Sequence, residues 1–520
     1  MLRELPRIFV NIAGYRDTEL PWTIKDLFEK ARHPERVFAG ICRQYAPGED
    51  DDAAPDGVFA EQCRVYDVHA KDSLGVCWAR HQTQKLWRGE EYAFQIDSHM
   101  RFVVDWDEVL LDMLGECDSA RPVLTTYPVP YTPPDKLDSP VLPVMFARFF
   151  DNDDIVSFGS RISLPEDAPE KPQPSAFVAA GFLFGPSKLI ADVPYDPRIY
   201  FQGEETNLAV RLWTHGWDFF TPNKVVCYHD FSKRPERPRH WEDKVDWRRL
   251  NTVSKTRLHH LLGMEKNGDP EALKGIENFG LGARRTLAEY EAFSGIDYKR
   301  RLINGKPGRI ADLPAGSPER KADRKRRFTF IKESNGWGCE ETASGGGSTM
   351  AQTEAIRRDL PGVFDSLNIR ILGDAGCGDL NWISHITGGL QAYLGFDIVD
   401  SLINEAREKF YDRRNHFFSQ VDIVIDALPE CDAIICRDCL THLDHQEILP
   451  ALKLFKESGS RYLFATTHFL GKNTEIKTGG WFPIDLTAAP FNLPKPLITI
   501  SEEAPNSTKS LGAWKISDLL

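Results

Sequence analysis

The stretch Ile369-Arg370-Ile371-Leu372-Gly373-Asp374-Ala375-Gly376-Cys377-Gly378-Asp379-Leu380-Asn381-Trp382 constrains this chain more than any other. It predicts an apolar strand that breaks into a glycine-rich turn and continues as a helix. Glycine takes positive φ and lets the backbone approach a ligand closely. Leu394-Gly395-Phe396-Asp397-Ile398 follows as a second strand ending in an acid. A carboxylate about 20 residues after such a turn can accept both ribose hydroxyls in a nucleotide-binding βαβ unit. This unit fills only the C-terminal part. A chain of 520 residues exceeds one core and predicts two or three domains.

A second α/β unit opens the chain. Arg7-Ile8-Phe9-Val10-Asn11-Ile12-Ala13-Gly14-Tyr15-Arg16-Asp17 is a β-rich run that breaks at Gly14. Thr23 to Ala31 reads as an amphipathic helix and Arg36 to Ile41 as the next strand. Ligands of open α/β sheets bind past the carboxyl ends of strands, so Tyr15, Arg16 and Asp17 are placed to meet a nucleotide base and ribose. Further on, the run Glu91 to Ile96 ends in Asp97-Ser98-His99. Alternation along a strand would send Asp97 and His99 out on one side. A carboxylate and an imidazole aimed at one point suit Mn²⁺-like ions. Such an ion can hold a nucleotide diphosphate and offset the charge that develops as it leaves.

Other segments stand in order around this site: Gly75, Ala79-Arg80, Trp87-Arg88-Gly89-Glu90-Glu91-Tyr92, Ala179-Ala180-Gly181-Phe182-Leu183-Phe184, Val193-Pro194-Tyr195-Asp196-Pro197, Phe201-Gln202-Gly203-Glu204-Glu205, Arg211-Leu212-Trp213-Thr214-His215-Gly216-Trp217 and Val225-Val226-Cys227-Tyr228-His229. With these, residues 6 to about 295 resemble the family of the Skp1 hydroxyproline N-acetylglucosaminyltransferase. The resemblance implies a GT-A (Rossmann-like) fold and a metal-dependent, retaining transfer from a UDP-sugar, similar in plan to the polypeptide GalNAc-transferases. It implies that Asp97 and His99 hold metal and sugar nucleotide, that His229 completes the metal site, that Arg80 lies near the donor, and that Glu204 and Glu205 sit in the acceptor-side loop. Read from the residues alone, His229 also fits a hydrogen-bonded core histidine, Arg80 a surface arginine, and Glu204-Glu205 a solvated helix start. His215 reads as a packing residue.

In the C-terminal part, Asp374-Ala375-Gly376-Cys377-Gly378-Asp379 differs from the dinucleotide pattern G-x-G-x-x-G and favours an S-adenosylmethionine (SAM) site. Together with Gly345-Gly346-Gly347-Ser348-Thr349, Gln352-Thr353, Cys436-Arg437-Asp438-Cys439-Leu440-Thr441-His442-Leu443, Thr466-Thr467-His468-Phe469, Gly479-Gly480-Trp481 and Pro490-Phe491-Asn492, it makes residues 328 to 520 resemble class I SAM-dependent methyltransferases associated with glycan biosynthesis. The resemblance implies that Asp374, Gly376 and Gly378 line the methionine end of SAM, that Asp397 meets the ribose, and that Val421-Asp422-Ile423 lies by the adenine. Asp438 and His442 would face the substrate. His442 reads as a general base for a sugar hydroxyl, since imidazole titrates near working pH, or as a structural histidine on the following helix.

Composition sets limits. Net charge of −13 argues against a nucleic-acid surface, because phosphate binding needs clustered cations. No run approaches the roughly 20 apolar residues of a membrane span. The start, Met1-Leu2-Arg3-Glu4-Leu5-Pro6, has no signal-peptide core, which predicts a cytoplasmic protein. Ten scattered cysteines give no disulfide framework, and Cys436 and Cys439 lack the second pair of a zinc site, leaving ordinary buried thiols. Residues 319 to 327 carry six bases against two acids. They read as part of a basic, Pro/Gly-containing linker spanning 301–327, a segment that could touch an anionic glycan or a membrane surface.

The expected protein is therefore α/β throughout: a GT-A domain at 1–300 with a helical tail at 240–300, the linker, and a Rossmann-like methyltransferase domain at 328–520. Its expected activity is bifunctional: transfer of a sugar, read as GlcNAc, from UDP to a hydroxyl acceptor on a glycan or protein with Mn²⁺ or Mg²⁺, then SAM-dependent O-methylation of the sugar product. The alternative is a C-terminal domain that only binds or scaffolds, or that acts on a separate substrate. Acceptor, methylated position, reaction order and oligomeric state are not encoded in any readable motif.

Overall fold

The computed structural model describes residues 5–50, 57–151, 153–232, 238–244, 246–265, 268–502 and 508–519. The residues Met1 to Glu4, on which part of the no-leader reading rests, lie outside them. The chain divides into two compact units, Met1–Arg309 and Ile310–Leu520.

The first unit is built on an eight-stranded mixed sheet. Its order is Gln173–Ser175, Asp218–Thr221, Pro122–Thr125, Phe182–Pro186, Tyr92–Asp97, Ile8–Tyr15, Val37–Tyr45 and Cys63–His69. Ile8–Tyr15 lies between two parallel neighbours, Val37–Tyr45 and Tyr92–Asp97. Its run IFVNIAGY is buried on both faces, as a parallel strand covered on both sides must be. One apolar cluster holds Val10, Ile12, Phe94 and Trp106, and another holds Phe9, Ala93, Trp213 and Trp217. The predicted helix at 23–31 runs Leu20–Glu29, started early by proline in its first turn. A smaller sheet joins Met100–Phe102, Cys227–His229, Val129–Thr132 and Lys136–Leu137. The helices Trp247–Leu261 and Leu287–Ser294 belong to this unit. Arg257 of the first is completely buried and pairs with Asp196 at 2.7 Å, so this tail is bound into the unit's interior.

The second unit is a seven-stranded sheet in the order His416–Gln420, Ala392–Asp397, Ile371–Ala375, Ala433–Cys436, Tyr462–His468, Lys509–Lys515 and Ile498–Ser501. In chain order this is 3-2-1-4-5-7-6 with the seventh strand reversed, a doubly wound sheet of the kind expected for a class I methyltransferase. The order switches direction beside Ile371–Ala375, and that switch point places the cleft.

Two expectations change here. No regular α-helix follows the glycine turn; Leu380 takes φ +61° and a single 3₁₀ turn, Ile383–His385, stands in its place. The cause is local. Asp379 turns back and accepts hydrogen bonds from Thr342 Oγ1, Ala343 N and Ser344 Oγ at 2.8–2.9 Å, instead of capping a helix. The basic run is not a linker either. It lies in the helix Pro318–Glu333 of the second unit, capped by Ser317. Its six bases are all paired: Arg320 with Asp444 and Glu447, Lys321 with Asp426, Arg324 with Asp422 and Glu447, Lys325 with Asp400, and Arg326 and Arg327 with Asp323. Cations neutralised in this way no longer form the basic surface on which the membrane or glycan contact was to rest.

Candidate active sites

In the first unit, the strand Tyr92–Asp97 stops at Asp97, and Ser98 and His99 form a bend before Met100–Phe102 begins. The bend, rather than strand alternation, brings Asp97 and His99 together. Cys227–His229 then pairs antiparallel with Met100–Phe102, with His229 opposite Met100. One ligand atom from each of Asp97, His99 and His229 falls within 4.8 Å of the others. His229 Nε2 meets Asp97 Oδ2 at 3.1 Å, and the two imidazole centroids are 4.5 Å apart.

The surroundings hold this geometry. Asp17, buried and oriented by the backbone N–H of Glu19, accepts from His99 Nδ1 at 2.6 Å and from Ser98 Oγ at 2.5 Å. A proton on His99 Nδ1 leaves the Nε2 lone pair for a metal, an arrangement common to metal-binding histidines. Gly181 faces Asp97 so closely that a Cβ there would lie 2.5 Å from Oδ2. Burial alone would raise the Asp97 carboxyl, but the hydrogen bond with His229 and the charge of Arg80 hold it well below the usual carboxylate range. One oxygen and two nitrogen donors match the needs of Mn²⁺. The residues present therefore fit a metal.

The remaining predicted residues of this unit are placed differently from the expectation. Arg80 is 1% exposed and supports the site from behind. It donates to Asp97 Oδ1 at 2.6 Å and to the Ile96 carbonyl at 3.1 Å, and pairs with Glu204 at 2.9 Å. Glu204 and Glu205 open the helix Glu204–Thr214, and neither is a solvated helix start. Glu204 is buried and also accepts from Tyr195 at 2.9 Å. Glu205 accepts from Tyr127 at 2.7 Å and from Ala180 N at 3.2 Å, and burial pushes its carboxyl up to about 7. Asp17 is occupied by His99, which removes it from the expected ribose contact. Tyr15 donates to Asp243 at 2.9 Å, and Arg16, at φ +45°, bonds Asp50 and Asp243 at 2.9–3.0 Å. These two bind Asp50 and Asp243, the latter at the end of the helix His240–Asp243, where a nucleotide was expected. Sequence reasoning gave no role to Tyr127, Tyr195 or Gly181. Gly181 had a signal, a glycine in a motif just before a strand, but nothing local shows that Asp97 lies opposite.

In the second unit a cleft is lined by Asp374, Gly376, Gly378, Asp397, Asp422, Asp438 and His442, with Trp337 and Trp382. Gly376 and Gly378 both have positive φ, and a Cβ on either would strike Cys439 Sγ or Ser344 Oγ. Asp397 accepts from Gly378 N at 3.0 Å and Val399 N at 2.9 Å and keeps lone pairs for a diol. Asp374 accepts from Tyr393 at 2.6 Å, and burial pushes it up to about 7. A cradle of positive-φ glycines closed by an acid that can take two hydroxyls fits SAM. Asp422 lines the cleft, but its carboxylate is paired with Arg324 at 2.7 Å and its backbone N–H donates to Asp426 at 2.9 Å, so both are engaged within the unit where an adenine contact was expected. His442 ends the 3₁₀ turn Leu440–His442, not an α-helix. Its Nδ1 donates to the Gly480 carbonyl at 2.6 Å, its ring lies 4.2 Å from Trp337, and burial lowers its pKa. Asp438 meets Lys509 at 2.5 Å and Arg437 at 3.2 Å. Burial opposes its ionisation, but these cations bring it down to about 2, which makes it a poor base. Cys436 is buried and all ten cysteines are free thiols.

A family model described as "Glycosyltransferase (GlcNAc)" matches residues 7–65 and 54–300, more than half of the chain. The chain belongs to this GlcNAc glycosyltransferase family. No curated protein sequence matches it. Among solved structures, the methyltransferase domain of bacterial CtHen1 is 19% identical over 22% of this chain and 66% of its own, with a TM-score of 0.21. Magnesium protoporphyrin IX methyltransferase from Synechocystis PCC 6803 with bound SAH is 18% identical over 29% and 74%, with a TM-score of 0.24. GalNAc-T7 with UDP, GalNAc and Mn²⁺ is 13% identical over 56% and 57%, with a TM-score of 0.37. The chain thus spans just under two thirds of the first of these and little over half of the last. At these scores the functional reading rests on the family match and the geometry of the two sites. Among the described residues, no helix is long and apolar enough to cross a membrane.

Proposed function

We propose that the N-terminal unit transfers GlcNAc from a UDP-sugar, with retention of configuration, to a hydroxyl of a glycan or protein, and that the C-terminal unit O-methylates the resulting sugar with SAM. The observation that carries the first half is the convergence of Asp97, His99 and His229 within 4.8 Å, with Asp17 fixing the His99 tautomer. A bound Mn²⁺ or Mg²⁺ would supply Lewis-acid stabilisation of the leaving diphosphate. The chain's own part is to hold that ligand set rigid. Arg80 pins Asp97 and Glu204 together, while Tyr127 and Ala180 N fix Glu205.

For the second half, Asp397 and the glycines at 376 and 378 support SAM binding, and SAM when bound supplies an electrophilic methyl group. His442 supports the proton step. With Nδ1–H donated to Gly480 and the pKa lowered by burial, its Nε2 is free of a proton at neutral pH and can take one from an acceptor hydroxyl. The test uses the full chain with UDP-GlcNAc, SAM and hydroxyl acceptors. Sugar transfer should need Mn²⁺ and vanish with EDTA, and both His99→Ala and His229→Ala should lose at least about 100-fold in rate. Undiminished transfer in either variant would remove that histidine from the metal site.

A further inference from the structure

Taking His442 as the base leaves Asp438 unexplained, and its backbone is strained. It has φ +52°, a region that non-glycine residues rarely adopt and that persists where surrounding structure enforces it. Its N–H donates to Thr466 Oγ1 at 2.8 Å, and that hydroxyl donates back to Oδ1 at 3.1 Å. Gly347 comes close enough that a Cβ there would lie 2.8 Å from Oδ2. Oδ2 meets Lys509 at 2.5 Å, and Lys509 and Arg437 both meet Glu502, at 2.9 and 2.6 Å.

Two cations and two carboxylates thus close a ring with no net formal charge. The ring has a deep end and an accessible end. The side chains of Arg437 and Glu502 are each 3% exposed, while those of Asp438 and Lys509 are 18% and 19% exposed. Arg437 and Glu502 brace the pair in front of them. Asp438 lines the same cleft as His442, and both it and Lys509 act electrostatically on His442. A carboxylate beside an ammonium offers an acceptor and a donor at one point, the complement of a hydroxyl, which both donates and accepts. Zero net charge gives no pull on a phosphate or carboxylate substrate.

We propose that Asp438 and Lys509 are the acceptor-recognition pair of the methyltransferase unit, holding the hydroxyl next to the one delivered to His442, so that the substrate class is a neutral sugar with a vicinal diol. This rests on the reading of His442 as the base of that unit. The test supplies the full chain and SAM with p-nitrophenyl N-acetyl-α-D-glucosaminide, the anomer that retaining transfer produces, its 3-deoxy and 4-deoxy analogues, and a panel of neutral hexosides and 6-deoxyhexosides beside a glucuronide and a sugar phosphate. The methylated position is read by mass spectrometry. Removing the neighbouring hydroxyl should raise KM about 10- to 100-fold with kcat little changed, the range of a hydrogen bond to a charged group. Lys509→Met and Lys509→Gln should raise KM for the parent alike and abolish its preference over the deoxy analogue, with SAM affinity by calorimetry unchanged. The proposal is overturned if either folded variant discriminates as the wild type does. It is also overturned if no neutral glycoside is methylated, or if the anionic ones are preferred. Full parent kcat in His442→Gln would instead overturn the base assignment and leave the Lys509 comparison standing.

Discussion

Gly181→Ala offers a sharp perturbation of the proposed metal site, because it adds one methyl group and takes away no ligand. The added Cβ would lie 2.5 Å from Asp97 Oδ2. Ordinary non-bonded contact is about 3.5 Å, so the carboxylate must retreat by roughly 1 Å. It cannot do so freely: Arg80 holds Oδ1 at 2.6 Å and His229 meets Oδ2 at 3.1 Å. Metal–ligand distances tolerate about 0.2 Å, and a displacement near 1 Å in a reacting arrangement costs about 100-fold, or about 2.7 kcal/mol of transition-state stabilisation. Gly181 is not among the positive-φ glycines, so alanine is compatible with its backbone. Initial rates of sugar transfer, measured against Mn²⁺ concentration, should show both weaker apparent metal affinity and kcat/KM reduced about 100-fold. SAM binding and near-UV circular dichroism should be unchanged. Wild-type turnover and Mn²⁺ dependence would refute the argument, and a lost dichroism signal would place the role of Gly181 in folding instead.

Three further outcomes are expected. Asp397→Ala should abolish SAM binding by calorimetry yet leave sugar transfer intact, and its product should be lighter than the wild-type product by one methylene; arrest of sugar transfer as well would mean that methylation comes first. Asp374 has a native pKa of about 7 against an ordinary 3.8, so between these values the native state binds the extra proton and the stability of the second unit falls as pH rises from about 4 to about 7, by at most about 4 kcal/mol. Urea unfolding at about pH 5 and about pH 8 should show this loss in the wild type and not in Asp374→Asn, and equal slopes would contradict it. Arg324→Met strands Asp422 and half of the Glu447 pairing in the interior, and should destabilise the second unit by about 3–5 kcal/mol in denaturant unfolding; a loss under about 1 kcal/mol would restore the linker reading of the basic run.

The contrast between what the sequence disclosed and what it withheld follows the range of the interactions. The strand ends at Asp97 and Ala375, the glycines at 376 and 378, and the acid at 397 were legible because strand period and turn chemistry act within a few residues; the first strand runs one residue past the expected break at Gly14. His229 could be singled out as a histidine closing an apolar strand, but only its register against Met100 brings it to Asp97. Roles set by distant partners were misassigned. Asp17 lies 82 residues from His99, Arg324 98 residues from Asp422, and Lys509 71 residues from Asp438. Each was read from its own neighbourhood, as a ribose contact, a linker cation or nothing. The basic run shows this well: its charges look solvated until the fold brings acids from residues 400 to 447 against four of the six, the other two pairing with Asp323 of the run itself.

The central claim is a metal-dependent transferase site built on Asp97, His99 and His229. A crystal of the protein grown with UDP and Mn²⁺, with anomalous diffraction recorded above and below the manganese edge, tests it most directly. The account predicts one strong manganese peak within coordination distance of the Asp97 carboxylate and of both imidazoles, with His99 bound through Nε2 and its Nδ1 still on Asp17. A peak held by other residues, or His99 coordinated through Nδ1 with Asp17 displaced, would contradict it.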